Sequence, residues 1–329
     1  MLSDEIRARL ARLHRPQEVV GMSQSLAEPT SLPLWATVGA AMAQVGGDAA
    51  GGLLARGQEC ANASGAHLRI RRPLAEFWAN ADAVAARVAQ SSDTFPSTHP
   101  ELLAFGRALP AGSLFLDLET CGFAGSMVFL VGLVWQDEGR LMLDQLLARN
   151  YAEERALLET LWQVAARNNV LVTYNGKSFD WPMVHDRSTR HHLGRDTRPR
   201  ALRRRQPAVD PEAAASVARV PVPMDRQTPR PMLVHCDLLH HARRRWKRYL
   251  PNCKLQTLEQ FICRRRREDD LPGSLVPAAY HDYVRSGQTG QLDGILKHNA
   301  LDLVTLVELA CRLALAENSS AASRSARSA

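Results

Sequence analysis

Asp117 and Glu119 interrupt the apolar run Ser113-Leu-Phe-Leu-Asp-Leu-Glu-Thr120 at positions where packing alone would favour valine or isoleucine. A run this apolar, followed by Cys121-Gly122, predicts a buried strand, in which side chains at i and i+2 point to the same side. Leu114, Leu116 and Leu118 then take one face, and Phe115, Asp117 and Glu119 the other. Two carboxylates roughly 7 Å apart on a partly buried face repel each other and lose hydration, which a fold tolerates when a cation compensates them. Ligands that are all oxygen point to magnesium or manganese.

The chain has 329 residues, 45 % of them apolar, enough for one large globular domain with a sizeable core and an accessory region. Its 41 basic against 34 acidic residues give a net charge of +7, much of it clustered. That balance favours a polyanionic partner, with nucleic acid the first candidate. Cys60, Cys121, Cys236, Cys253, Cys263 and Cys311 include no CxxC pair, so neither a zinc ribbon nor a disulfide framework is indicated and a reducing cytoplasm fits. The charged start, Met1 to Arg7, and the short, glycine-rich apolar stretch from Leu34 to Gly46 predict neither export nor a membrane anchor.

Residues 4 to 14 predict a short amphipathic helix, and Ala66 to Arg71 a strand, within a first hundred residues that carry no other interpretable motif. Three strand-like runs follow, 113 to 119, 127 to 135 and 140 to 147, with Asp137-Glu-Gly139 as a tight turn, which predicts an antiparallel meander. Helical periodicity through Ala156, Leu157, Leu161 and Val164, a strand from Val170 to Tyr174 and a helix from Ser178 give the alternation of an α/β layer fold. From 186 to 231 arginine and proline dominate, the composition of a mobile insertion. A strand from Leu233 to Leu239 and helices near 240–248, 255–263, 277–286 and 291–316 complete the pattern, with a disordered tail expected after Asn318. The expected division is an accessory region over 1–100, a domain over 101–317 and a tail over 318–329.

Two further points carry chemistry. Tyr174-Asn-Gly-Lys-Ser-Phe-Asp180 follows a strand and opens a helix, a place suited to a metal or a phosphate. Its Gly-Lys-Ser triplet is not a nucleoside triphosphate loop, because Leu171 stands where that motif requires glycine. Asp180 on its own reads rather as a first-turn acid favoured by the helix dipole. In the last long helix, His298-Asn-Ala-Leu-Asp302 sets two side chains on one face beside the stripe Leu292, Leu296, Leu303, Val307 and Ala310. Alone, this pair reads as a surface hydrogen bond.

Taken together, Asp-x-Glu on a central strand, Asn-Gly-x-x-Phe-Asp after a later strand and His-x-x-x-Asp on the terminal helix resemble the DEDD (DnaQ-like) exonucleases of the ribonuclease H-like superfamily. Within it, His240-His-Ala-Arg-Arg-Arg-Trp246, Leu255-Gln-Thr-Leu-Glu259 and Asp269-Asp-Leu-Pro-Gly-Ser274 resemble the YprB-type group of predicted exonucleases, over roughly residues 103 to 316. The resemblance implies an α/β, ribonuclease H-like three-layer fold with a mixed central sheet. It also implies a two-metal, 3'-to-5' hydrolysis of single-stranded DNA or RNA. Asp117, Glu119, Asp180 and Asp302 are implied as ligands of two Mg2+ or Mn2+ ions, with Asp117 bridging, Glu119 and Asp302 completing one site and Asp180 helping the second. Such a pair, about 4 Å apart, activates the attacking water and neutralises the leaving oxygen. His298 is implied at or near the general base, and an imidazole with an ordinary pKa of about 6.5 can take a proton at neutral pH. One departure stands out: three residues separate His298 from Asp302, whereas histidine-type members have four, so His298 occupies the slot of the tyrosine-type branch.

Arg243-Arg-Arg-Trp-Lys-Arg-Tyr249 and Arg264 to Arg267 set cations beside aromatic rings, a combination suited to phosphates and stacked bases. The other reading is a solvated helix face, and Glu268, Asp269 and Asp270 offset the second run. Asn175, Lys177, Arg243, Arg244, Arg245, Trp246 and Lys247 are the candidate nucleic-acid contacts. The arginines from 195 to 205 would add a salt-sensitive attraction. His235, Cys236, His240 and His241 could hold zinc only if their diverging directions converged, and Asp237 reads as an outer ligand or a helix cap. Two rival functions remain: a binding protein of the same fold without turnover, and a phosphodiesterase for short oligonucleotides.

Overall fold

The computed structural model describes residues 52–91, 99–122, 125–195, 224–267 and 271–325, with side chains in the last segment as far as Leu315. The helix expected at 4–14 and the arginine-rich stretch over 196–223 lie outside the described residues. A hairpin of β1 (Gln58–Asn62) and β2 (Gly65–Pro73) precedes α1 (Ala81–Ser91) and α2 (Pro100–Ala108). The meander β3 (Ser113–Thr120), β4 (Val128–Asp137) and β5 (Arg140–Leu147) leads through α3 (Glu154–Ala165) to β6 (Val170–Thr173) and α4 (Asp180–Arg190). After β7 (Val234–Asp237) come α5 (Leu238–Trp246), α6 (Leu255–Phe261), α7 (Val276–Ser286) and α8 (Gly290–Ser325).

The seven strands form one mixed sheet in the order β1-β2-β5-β4-β3-β6-β7. Strand β3 is antiparallel to β4 on one side and parallel to β6 on the other, and β6 is parallel to β7. The carboxyl ends of β3, β6 and β7 therefore share one edge, and the change of direction falls at β3, where α/β sheets open a crevice. The turn between β4 and β5 is the expected two-residue loop, with Glu138 and Gly139 both at positive φ, the geometry whose twist matches a hairpin. The strand expected at 66–71 is β2, and its pairing with β5 adds residues 58–73 to the meander's outer edge.

Alternation along β3 builds the layers. Leu114, Leu116 and Leu118 enter a core with Leu157, Leu161 and Trp162 of α3 and Trp181 and Val184 of α4. On the opposite face Phe115 meets Phe105 of α2 edge to face, and Asp117 meets Asn299 of α8. Helix α8 crosses β3, β4 and β5. It runs on to Ser325, past Asn318 where the ordered chain was expected to end, because the Ala/Ser/Arg composition there contains no glycine or proline to stop it. Among the described residues no helix is long and apolar enough to cross a membrane.

The two ends of the proline- and arginine-rich stretch are clasped. Residues 186–190 complete α4, Gly194 N–H donates to the Asp225 carbonyl at 2.8 Å and Arg230 N–H to the Arg195 carbonyl at 3.1 Å. The buried Arg230 guanidinium donates to the carbonyls of Leu193 and His185 and to Thr189 Oγ1, and lies over the Trp162 ring.

Two buried histidines make the fold acid-sensitive. Burial holds His67 of β2 down to about 4, with Glu153 opposing and Arg69 and Arg149 assisting. Burial likewise holds His235 of β7 down to about 3, where its Nε2 meets Thr173 Oγ1 at 2.7 Å. Below their ordinary value of 6.5 both rings bind protons in the unfolded chain but not in the folded one. Stability is therefore lost as the pH falls from 6.5 toward 4, by about 1.4 kcal/mol per pH unit for each ring. Thermal melts at pH 7 and pH 5 should show a smaller drop for His67→Leu than for the wild type, and an equal drop would refute this assignment.

Candidate active site

The site is built from a row across three strands. Asp117 on β3 lies opposite Gly132 on β4, which lies opposite Gln145 on β5. Asn299 of α8 closes over the glycine: a methyl at position 132 would sit 2.3 Å from Asn299 Oδ1. Gln145 Nε2 donates to the Leu296 carbonyl (2.8 Å) and to Asn299 Oδ1 (3.0 Å), and Asn299 Nδ2 donates to Asp117 Oδ2 (2.8 Å). A neutral relay of two amides thus fixes the rotamer of the first acid. One residue past Asp117's neighbour Leu118, the register of β3 against β4 shifts between Glu119 and Thr120, a bulge of the kind that re-aims side chains at functional edges.

Asp180 reaches the same edge through the loop after β6. Asn175 adopts a left-handed conformation, and a side chain at Gly176 would collide with Thr173. Asp237, at the end of β7, accepts the backbone N–H groups of Asn175 (2.8 Å) and Lys177 (3.1 Å) and that of Leu239 at the start of α5 (3.1 Å). The residue read from the sequence as a cap or outer support is therefore both a helix cap and the clamp of the loop that carries Asp180. Burial pushes the Asp180 carboxyl up to about 7, against its backbone hydrogen bond and helped by the charge of Asp237.

The third segment is α8. His298 is buried and its Nε2 lies 3.4 Å from Asp302 Oδ2. The Asp117 carboxyl is raised well above the carboxylate range, first by burial and then by the charges of Asp302, Glu119 and Asp180, with the Asn299 hydrogen bond opposing. Asp117 thus feels the charge of the other three acids, although they come from β3, the start of α4 and α8. Arg267 also reaches this group: its guanidinium pairs with Asp302 and with Glu259 of α6, and its Nη1 lies 3.5 Å from His298 Nδ1.

The candidate nucleic-acid contacts divide. Arg243, Arg244, Arg245 and Lys247 are exposed. Trp246 is not available for stacking, because it is 5 % exposed and forms the buried stripe of α5 with Leu238 and Ala242. Lys177 is paired with Glu101, and the exposed Asn175 uses its backbone to meet Asp237. Of the four arginines at 264–267, Arg264 and Arg266 are exposed, whereas Arg265 and Arg267 turn inward to acids. The histidines around Cys236 do diverge, since His240 is exposed and His235 meets Thr173. Cys236 and His241 nonetheless converge with Glu101, their ligand atoms within 4.8 Å of one another. That group is knitted by Lys177 on Glu101 and Arg244 on His241.

A model of the RNase H superfamily matches residues 114–314, from β3 through α8, and so includes all four acids and His298. The chain belongs to the RNase H superfamily. Over 198 residues this RNase H superfamily chain is 33 % identical to the "uncharacterized protein YprB" of Bacillus subtilis (strain 168). The match covers 59 % of the chain and 40 % of that protein, so the chain spans about two fifths of its relative's length. It is a YprB-type RNase H-like protein, with the nuclease-type domain of that superfamily. The donor set suits the divalent metals usual in such domains. The site holds carboxylates, amides and a helix-borne imidazole, and the Asp117 carboxyl is raised first by burial and then by the neighbouring acids, a cost that a bound cation would relieve. Hard, oxygen-preferring cations fit this set better than soft ones.

Proposed function

We propose that the chain is a metal-dependent 3'-to-5' exonuclease that hydrolyses phosphodiester bonds of single-stranded DNA or RNA. The observation that supports the reading is that the buried Asp117 carboxyl is raised by the charges of three other acids, Glu119 and, from distant segments of the chain, Asp180 and Asp302. Asp117, Glu119, Asp180 and Asp302 would hold two Mg2+ or Mn2+ ions, which when bound activate water and neutralise charge on the leaving oxygen. The protein's own part is positioning. Asn299 and Gln145 orient Asp117, Asp237 and the Asn175–Lys177 backbone set Asp180, and His298 on α8 takes the proton released by the attacking water. The exposed arginines of α5 offer phosphate contacts, and Phe179, beside Asp180 and 40 % exposed, offers a ring for a terminal base.

The pairing of Arg267 with Asp302 favours a second reading, a protein of this fold that binds nucleic acid without cleaving it. One assay separates them. With 5'-labelled single-stranded DNA and RNA and added Mg2+ or Mn2+, the wild type should yield a ladder shortening from the 3' end, abolished in Asp302→Ala. Binding with no ladder supports the second reading, and a ladder unchanged in the variant marks a contaminant.

A further inference from the structure

Arg267 is a cation built into an acid cluster. Its side chain is 7 % exposed, its Nε pairs with Glu259 Oε2 at 2.6 Å, and its Nη2 donates to Asp302 Oδ1. Its backbone follows the left-handed Arg264, so that the run alternates and sends Arg265 and Arg267 inward. Arg265 is anchored by Glu259, Glu308 and Thr305, which holds the segment against α6 and α8. Arg267 alone of these two reaches an acid of the proposed metal set. A guanidinium is permanently charged and presents its donors as a planar fork, suited equally to a carboxylate and to a phosphodiester.

We propose that Arg267 is a resident counter-cation that competes with a divalent ion for Asp302, and that a substrate phosphate, by engaging the guanidinium, releases the carboxylate to the ion. The inference rests on the reading of Asp302 as a metal ligand. It makes metal and nucleic acid bind cooperatively, and by linkage each improves the affinity of the other by the same factor. Cations then bind weakly to the free protein and tightly once a strand end is present. The arginine also neutralises Asp302 in the meantime, which limits the charge that Asp302 presents to Asp117.

The test measures Mn2+ binding by calorimetry to the full chain, alone and with a phosphorothioate oligonucleotide that resists hydrolysis. The wild type should bind Mn2+ at least tenfold more tightly when the oligonucleotide is present. Arg267→Gln should bind Mn2+ at least tenfold more tightly than the wild type in its absence, with little further gain on adding it. Glu259→Gln, which keeps the arginine but removes its other partner, should weaken Mn2+ binding to the free protein, and this opposite sign serves where Arg267→Gln does not fold. Unchanged or weaker Mn2+ binding by a folded Arg267→Gln, or tighter binding by Glu259→Gln, overturns the inference. If Mn2+ binds, and Asp117→Asn abolishes that binding while Arg267→Gln leaves it unaltered, this inference alone fails. If the wild type binds no Mn2+ with or without oligonucleotide, the metal reading fails with it.

Discussion

Asp117→Asn should reduce metal-dependent hydrolysis by roughly 10^3-fold, about 4 kcal/mol of transition-state stabilisation, while making the metal-free protein more stable. The two effects have one cause. The aspartate is buried against the charges of Asp302, Glu119 and Asp180, an arrangement that favours chemistry and opposes folding. Asparagine keeps the shape and an acceptor for Asn299 but removes the charge, and about 1–3 kcal/mol of relief is expected. For a domain of this size that corresponds to about 2–4 °C in Tm per kcal/mol.

The sign follows from linkage. The folded-state pKa of Asp117 lies above its ordinary 3.8, so the native state binds the extra proton and the carboxylate destabilises the fold increasingly as the pH rises above about 4. The advantage of Asp117→Asn in EDTA should therefore be larger at pH 8 than at pH 4. Mg2+ or Mn2+ should raise the Tm of the wild type but not of the variant. Differential scanning calorimetry at the two pH values checks this, and a variant less stable than the wild type in EDTA at pH 8 would show that the acids are not in electrostatic conflict.

Gly132→Ala carries the second large effect. The added methyl would lie 2.3 Å from Asn299 Oδ1 and 2.7 Å from its Nδ2, and both atoms are committed, one to Gln145 and one to Asp117. Helix α8 cannot move away without taking His298 and Asp302 with it. Overpacking of this kind costs about 1–3 kcal/mol, and displacement of the amide that orients Asp117 should lower kcat by roughly 10–100-fold with little change in KM. Adding Asn299→Ala to Gly132→Ala should restore much of the stability but not the rate, a coupling that a double-mutant cycle measures. If the double variant is no more stable than Gly132→Ala alone, the clash does not govern this site.

The strands and helices of the main domain were legible because their apolar positions repeat with the right periods, and because Glu138-Gly139 suits a two-residue turn. Strand β1 was not, since Gln58-Glu-Cys-Ala-Asn62 has no apolar face; it pairs through its backbone along β2. Asp117 and Glu119 showed themselves by misfit, a charge in a strand core being conspicuous. Asn299 and Gln145 produce no such misfit, as a neutral amide in a helix or strand reads as surface, and the contact that matters lies 182 residues from Asp117. Gly132 within the run Val128–Asp137 was the available signal, since a glycine inside a strand marks close approach of another element. Arg267 was hidden by its neighbours: in a run of four arginines only the folded chain shows which two turn inward. Trp246 misled in the opposite sense, its basic neighbours suggesting a stacking ring while its spacing from Leu238 and Ala242 already placed it inside.

The clasp formed by Arg230 has a consequence for how this protein can vary. The chain leaves α4 after Arg190, passes Leu193 and returns through Thr228 and Arg230 at a single doorway, pinned to the far end of the same helix whose first residue is Asp180. Backbone bonds from Gly194 to Asp225 and between Arg195 and Arg230 close that doorway beside the buried guanidinium. A doorway closed in this way is expected to let the intervening chain change in length without shifting the start of α4.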